Sequence, residues 1–149
     1  MKQALHTKKK IISKILLSLG LVFLLGSAIT QVHGEEDKVP IITIHSTEEA
    51  VVRGKTGSFV LSMNPILFVE RHVNFSVKGT AIPGVDYVPL VSPAHIAKSG
   101  YGVILVQTLP DPRGPASRDS YSVVVTLEPG PGYAVGEPRS AQIMIKPLR

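Results

Sequence analysis

The residues of this chain that could do chemistry are few, and none falls into a catalytic spacing. Gly54-Lys55-Thr56 has the closing residues of a phosphate-binding loop, but Glu49 stands where the upstream glycine is required. An extended run follows it instead of a helix, so a hairpin turn is the expected role. His45, His72 and His95 lack the short spacing of a zinc site and are expected at the surface or in turns. No serine sits in a Gly-x-Ser-x-Gly elbow. Asn74-Phe75-Ser76 matches a glycosylation sequon, yet it lies on an expected strand. No acid–base constellation emerges, and the expectation is a protein that is not an enzyme.

The chain that carries these residues changes character at Gly34. Lys2, Lys8, Lys9, Lys10 and Lys14 occur before it with no acid, followed by an apolar core from Ile15 to Leu25. Small and polar residues lead to Val32-His33-Gly34, and Glu35-Glu36-Asp37 follow. That order describes a secretory signal peptide over 1–34, helical in its apolar core, with the preferred cut after Gly34. An uncleaved anchor is the alternative, because the apolar stretch nears spanning length if it runs on to Ile29. The protein is therefore expected to be exported, to the periplasm, the cell surface or the medium.

The charge balance changes once that segment is set apart. The chain has 16 Lys and Arg against 11 Asp and Glu, a net charge of +5. Five of those lysines lie in the signal, which leaves the mature part with equal numbers of each sign. A near-neutral surface offers no basic footprint for nucleic acid. Cysteine is absent, which excludes disulfides and thiolate metal sites. The core alone must hold the fold, and a mature chain of this length can bury roughly two thirds of its unfolded surface.

Residues 35–38 form a short charged lead, and residues 39–149 read as one domain. The main β-type runs are 41–45, 58–63, 73–78, 102–109, 121–127 and 141–145, with shorter ones at 50–52, 88–91 and 94–97. Phe59, Leu61 and Met63 share a face, as do Val123, Val125 and Leu127. Phe75, Val77, Ile104, Ile143 and Ile145 complete the expected core. The 102–109 run is apolar on both parities, which predicts a central strand or one covered on its outer face. The apolar run Ile66-Leu67-Phe68-Val69 is expected to pack in the core or cap the sandwich end, with an exposed partner patch as the alternative. Pro110, Pro112, Gly114 and Pro115 place a loop at 109–118. No sustained helical period appears, so the pattern predicts an all-β, two-sheet sandwich of about seven strands.

Between the runs lies Gly79-Thr80-Ala81-Ile82-Pro83-Gly84-Val85-Asp86-Tyr87. It resembles the Gly-Thr-Ala-x-x-Gly-x-Asp-Tyr signature of Calx-β domains, immunoglobulin-like sandwich modules of surface proteins. Residues 123–127, followed by Gly130, Gly132-Tyr133, Val135-Gly136, Pro138 and Ser140-Ala141, look like that family's last hairpin. The resemblance spans most of the mature chain. It implies an adhesion-type module that meets its partner by loops or a sheet edge, and it brings calcium into question.

Calcium takes six to eight oxygen ligands. The acids that match the family's pattern are Asp86, Asp111 and Asp119, with Glu48 and Glu49 next in order. Val52 and Arg53 stand where calcium-binding members carry Glu, and Arg113 and Arg118 interrupt the later acids. Lys146 and Arg149 replace the C-terminal acidic run. Asp86 is expected to accept backbone hydrogen bonds in its own turn. The sequence therefore predicts no metal and no cofactor, with those three aspartates as the residual weak calcium candidates.

These observations predict a non-catalytic exported interaction module that binds a protein or a cell-envelope component. It would touch the membrane only through an uncleaved signal. A weak calcium-binding adhesion module and an accessory domain of an exported enzyme are the alternatives. Mass spectrometry of the exported protein is expected to find an N-terminus near Glu35; an intact Met1 would mean that the anchor is kept.

Overall fold

Period-two alternation decides which face of each long strand is buried. In β3 (Thr56–Asn64), Gly57, Phe59, Leu61 and Met63 are buried while their neighbours are not. β8 (Tyr121–Leu127) buries Val123, Val125 and Leu127, and β10 (Ser140–Lys146) buries Ile143 and Ile145. The computed structural model describes residues 38–110 and 119–148. The segment read as a signal peptide, the start of the lead, Asp111, Arg113, Arg118 and Arg149 lie outside the described residues.

The remaining strands are β1 (Ile41–Ser46), β2 (Ala50–Val52), β4 (Arg71–Val73), β5 (Phe75–Lys78), β6 (Ala94–Ile96), β7 (Tyr101–Gln107) and β9 (Ala134–Val135). Among the described residues there is no helix. One sheet has the order β4-β6-β7-β3-β1-β9 and the other the order β2-β10-β8-β5. Most pairings are antiparallel; β1 with β9 and β2 with β10 are parallel. The sheets enclose a core that includes Ile42, Ile44, Phe59, Leu61, Val125 and Ile143, all fully buried. The fold is an immunoglobulin-like sandwich, as the pattern predicts, with short strands bringing the described total to ten.

Several local expectations need correction. The 73–78 run is two strands, because the chain leaves one sheet at Val73 and enters the other at Phe75. Asn74 lies at the crossing, exposed and off any strand, and its backbone is held from elsewhere. Its N–H donates to the Tyr133 hydroxyl at 3.0 Å, and its carbonyl accepts from the Glu128 N–H at 2.8 Å. Residues 88–91 form no strand. Val77 is half-buried at the edge of the core instead of inside it.

The Ile66–Val69 run faces water: Ile66, Phe68 and Val69 are exposed, and Phe68 is 76% accessible. Phe68 also has φ of 55°, a left-handed conformation uncommon outside glycine. β7 is central, as expected, between β6 and β3. Its outer face is open, with Tyr101, Val103 and Leu105 all exposed.

Phe75 sits on edge strand β5 opposite Leu127 and is 7% exposed. Phe75→Ala is expected to cost about 3–5 kcal/mol in equilibrium denaturation, the usual loss for a large buried aromatic. A cost below about 1 kcal/mol would mean that this face does not pack against the core.

Candidate functional site

The nonapeptide 79–87 closes one end of the sandwich, and each of its recurrent residues has a physical task. Gly79 adopts φ of 126°, and a Cβ there would fall 2.1 Å from the Ser122 carbonyl oxygen. Only glycine fits against β8 at that point. Thr80 and Ser122 then bond reciprocally: Thr80 N–H donates to Ser122 Oγ and Ser122 N–H to Thr80 Oγ1. Ala81 is buried and donates its N–H to the Ser122 carbonyl. Gly84, at φ of 79°, makes the turn, and its N–H donates to the Tyr87 carbonyl. The buried Tyr87 hydroxyl has its pKa raised above 10, first by desolvation and then by the charge of Asp86.

Asp86 is the charged residue that this turn encloses. It is fully buried, and its Oδ2 accepts the Ile82 N–H at 2.7 Å. Its Oδ1 accepts from Arg53 Nη2 at 2.9 Å, and Arg53 is itself only 2% exposed. Arg53 arrives from the end of β2, where its N–H donates to the Lys146 carbonyl and extends the pairing with β10. The guanidinium lies over the Tyr121 ring, 5.4 Å from its centroid. Thr108 ties the same end together by donating its hydroxyl to the Lys55 carbonyl.

The turn hydrogen bond of Asp86 is as the sequence predicts, but its partner is one that sequence reasoning missed. Arg53 was legible only as a departure from an acidic pattern. A buried pairing between residues on distant parts of the chain leaves no local trace in sequence. Of the other two aspartates, Asp119 is exposed, with the Tyr121 hydroxyl 3.5 Å from its Oδ2, and Asp111 lies outside the described residues.

Calcium does not suit the described part of this arrangement. Both oxygens of Asp86 are engaged, Oδ1 by the Arg53 guanidinium and Oδ2 by the Ile82 N–H. A second cation brought beside that guanidinium would meet electrostatic repulsion.

The other features missed from sequence lie on the outer face of the six-stranded sheet. Val103 and Leu105 line an open groove of about 320 Å³ with Pro89, Leu90, Val91 and His95. The signal for this face was the apolar content of both parities in 102–109, read as a central strand or as cover by another layer. Among the described residues no such layer exists.

No family model and no curated protein matches this sequence. Among solved structures, the crystal structure of CBD12 from CALX1.2 superposes with a TM-score of 0.58 at 14% identity. That match covers 72% of this chain and 45% of the other. The likeness is one of fold. A two-domain protein of unknown function from Bacteroides fragilis aligns more loosely, at TM-score 0.48 and 9% identity over 72% of this chain and 46% of its own. The matched region therefore spans just under half the length of either structure.

The buried pair gives a direct test of what holds this end. Asp86→Ala would leave the Arg53 charge buried without a counter-ion among the described residues and free the Ile82 N–H. The expected loss is about 3–5 kcal/mol in denaturant unfolding. A loss under about 1 kcal/mol would show that water reaches Arg53 and that the pair is not structural.

Proposed function

We propose that this chain is a non-catalytic, exported Calx-β-type module that binds a protein partner through the outer face of β7. The observation that carries this reading is the exposure of Val103 at 55%, Leu105 at 61% and Val91 at 82% around one groove. Several exposed apolar side chains gathered around one groove are what partner surfaces show, whereas isolated exposed apolar residues are ordinary. The balanced charge of the mature part supports a partner met by apolar contact more than by charge steering. The face of a sheet, not its loops or edge, is thus the surface proposed.

The signature turn supports the family assignment and not its calcium chemistry. Its glycines, threonine and aspartate all serve the packing of one sandwich end, and Asp86 is committed to Arg53. The module is accordingly proposed to work without calcium and without a cofactor. The absence of an acid–base constellation in the sequence supports binding over catalysis.

A photoreactive residue placed at Tyr101, at the start of the groove strand β7, tests the reading in the producing cells. A discrete crosslinked adduct is expected, lost in Val103→Asp/Leu105→Asp and unchanged by chelating calcium. An adduct that persists in the double variant would rule out this face. Loss on chelation would restore the calcium-dependent alternative.

A further inference from the structure

The loop that joins β3 to β4 turns its apolar residues to water. Ile66, Phe68 and Val69 are all exposed, Phe68 most of the three, and Phe68 holds φ of 55°. A left-handed backbone strains any residue with a Cβ, and Gly, Asn or Asp would carry it with less strain. Phe68 thus combines a strained backbone with an unburied ring, and neither helps to hold the sandwich together. Its use must lie outside the fold.

The base of the loop is anchored. Ile66 packs on the turn at 97–100, where a Cβ at Gly100 would fall 2.8 Å from Ile66 Cγ1. Met63, the last buried residue of β3, donates its N–H to the Gly100 carbonyl at 2.8 Å. Phe68 and Val69 are therefore carried on a fastened base at the end of β3 away from the Arg53–Asp86 pair, which adjoins Thr56.

The same end gathers further apolar and basic groups. Ile41 pairs with Asn64, the residue where the loop begins, and both Ile41 and Val39 are exposed. Lys98, in the turn under Ile66, and Lys38, just ahead of β1, are exposed, and Arg71 follows the loop. Of the nearby acids, Glu70 faces β6, with Oε2 3.6 Å from His95 Nε2, and Glu128 accepts the Ser76 hydroxyl at 2.7 Å. The chain also enters the sandwich here. The apolar segment read as a signal peptide, with an anchor as its alternative, ends thirteen residues before Lys38.

We propose that the Phe68 loop inserts into the surface of a lipid bilayer. An exposed apolar tip flanked by lysines matches the layers of that surface. Apolar side chains enter the boundary of the acyl chains while the lysine ammonium groups stay at the level of the phosphates. Anionic headgroups add attraction for Lys38 and Lys98. This surface is distinct from the β7 groove, so the insertion stands or falls independently of the protein partner proposed above.

The chain has no cysteine, so Ser99→Cys gives a unique attachment point for a fluorophore in the turn beside the loop. The full chain is reconstituted in vesicles of phosphatidylcholine and phosphatidylglycerol, roughly three to one, with nitroxide quenchers on the acyl chains. Quenching is expected at Ser99→Cys and not at Lys55→Cys, which reports on the Arg53–Asp86 end. Phe68→Asn is expected to abolish the quenching at Ser99→Cys while the unfolding midpoint stays level or rises, because Asn tolerates the left-handed turn. The comparison is made within one tethered chain, so insertion of the segment before Lys38 cannot produce the difference. Equal quenching with and without Phe68→Asn, or equal quenching at the two label sites, would overturn the proposal. A clear fall in stability in Phe68→Asn would also overturn it, by showing that the ring serves packing. A photocrosslink from Val69 to a protein and not to lipid in the producing cells would make the loop a protein contact instead.

Discussion

The sandwich depends at one end on a charge that cannot leave. Arg53 and Asp86 are both buried, and removing two charges from water costs several kcal/mol per ion before any attraction is counted. The pair is tolerable because the rest of the end is built to complete it. The 79–87 turn supplies the Ile82 N–H, β8 supplies the Tyr121 ring, and the β2–β10 pairing aims the arginine inward. Two Arg53 nitrogens, Nε and Nη1, remain buried without a hydrogen bond among the described residues. Such a pair adds little net stability over an apolar one, but it penalises any arrangement that separates its members. It therefore acts on register: β2, the signature turn and β8 must all be in place together.

How much of this was legible in sequence follows from the range of each interaction. The turn was legible because its requirements are local. Gly79 and Gly84 occupy positive φ, and Asp86 bonds back within its own turn, so residue type and spacing suffice. The last hairpin was legible for a similar reason. Gly130 must lack a side chain because a Cβ would meet the Tyr133 ring at under 3 Å, while Gly132 turns the chain at φ of 77°. Tyr133 can then be buried with its hydroxyl donating to the Glu128 carbonyl. Core positions on β3, β8 and β10 followed from alternation alone.

What was not legible depends on partners distant in the chain. The passage between sheets at Asn74 leaves the alternation of Val73, Phe75 and Val77 undisturbed, so period two sees one strand. The break is decided by the Tyr133 hydroxyl and the Glu128 N–H, which take up the backbone groups of Asn74 from much later in the sequence. The sequon looks strand-bound in sequence only because of that misread strand. The apolar run at 66–69 failed in the opposite sense, and the 102–109 run, central as expected, has an outer face that nothing described covers. Hydrophobicity predicts burial only where another layer is available, and the six-stranded sheet has one face against the core and the other facing outward.

That outward face gathers the features that the core and the turn leave unexplained. Register places His72 opposite His95, Ile96 opposite Gly102, Val103 opposite Val60, and Val60 opposite His45. A single row thus crosses the sheet from edge strand β4 to β1, with imidazoles toward its ends and apolar side chains between them. β6 approaches β7 closely in this region, because a Cβ at Gly102 would fall 2.4 Å from the His95 carbonyl oxygen. The same glycine that tightens the sheet sets His95 at the rim of the groove beside Val103. A side chain added at Gly102 would push β6 from β7 and disturb the groove and the histidine pair together, whereas a change at Asp86 would reach neither directly. The two parts are therefore mechanically separate: the sandwich end is closed around the Arg53–Asp86 pair, and the outer sheet face stays open among the described residues.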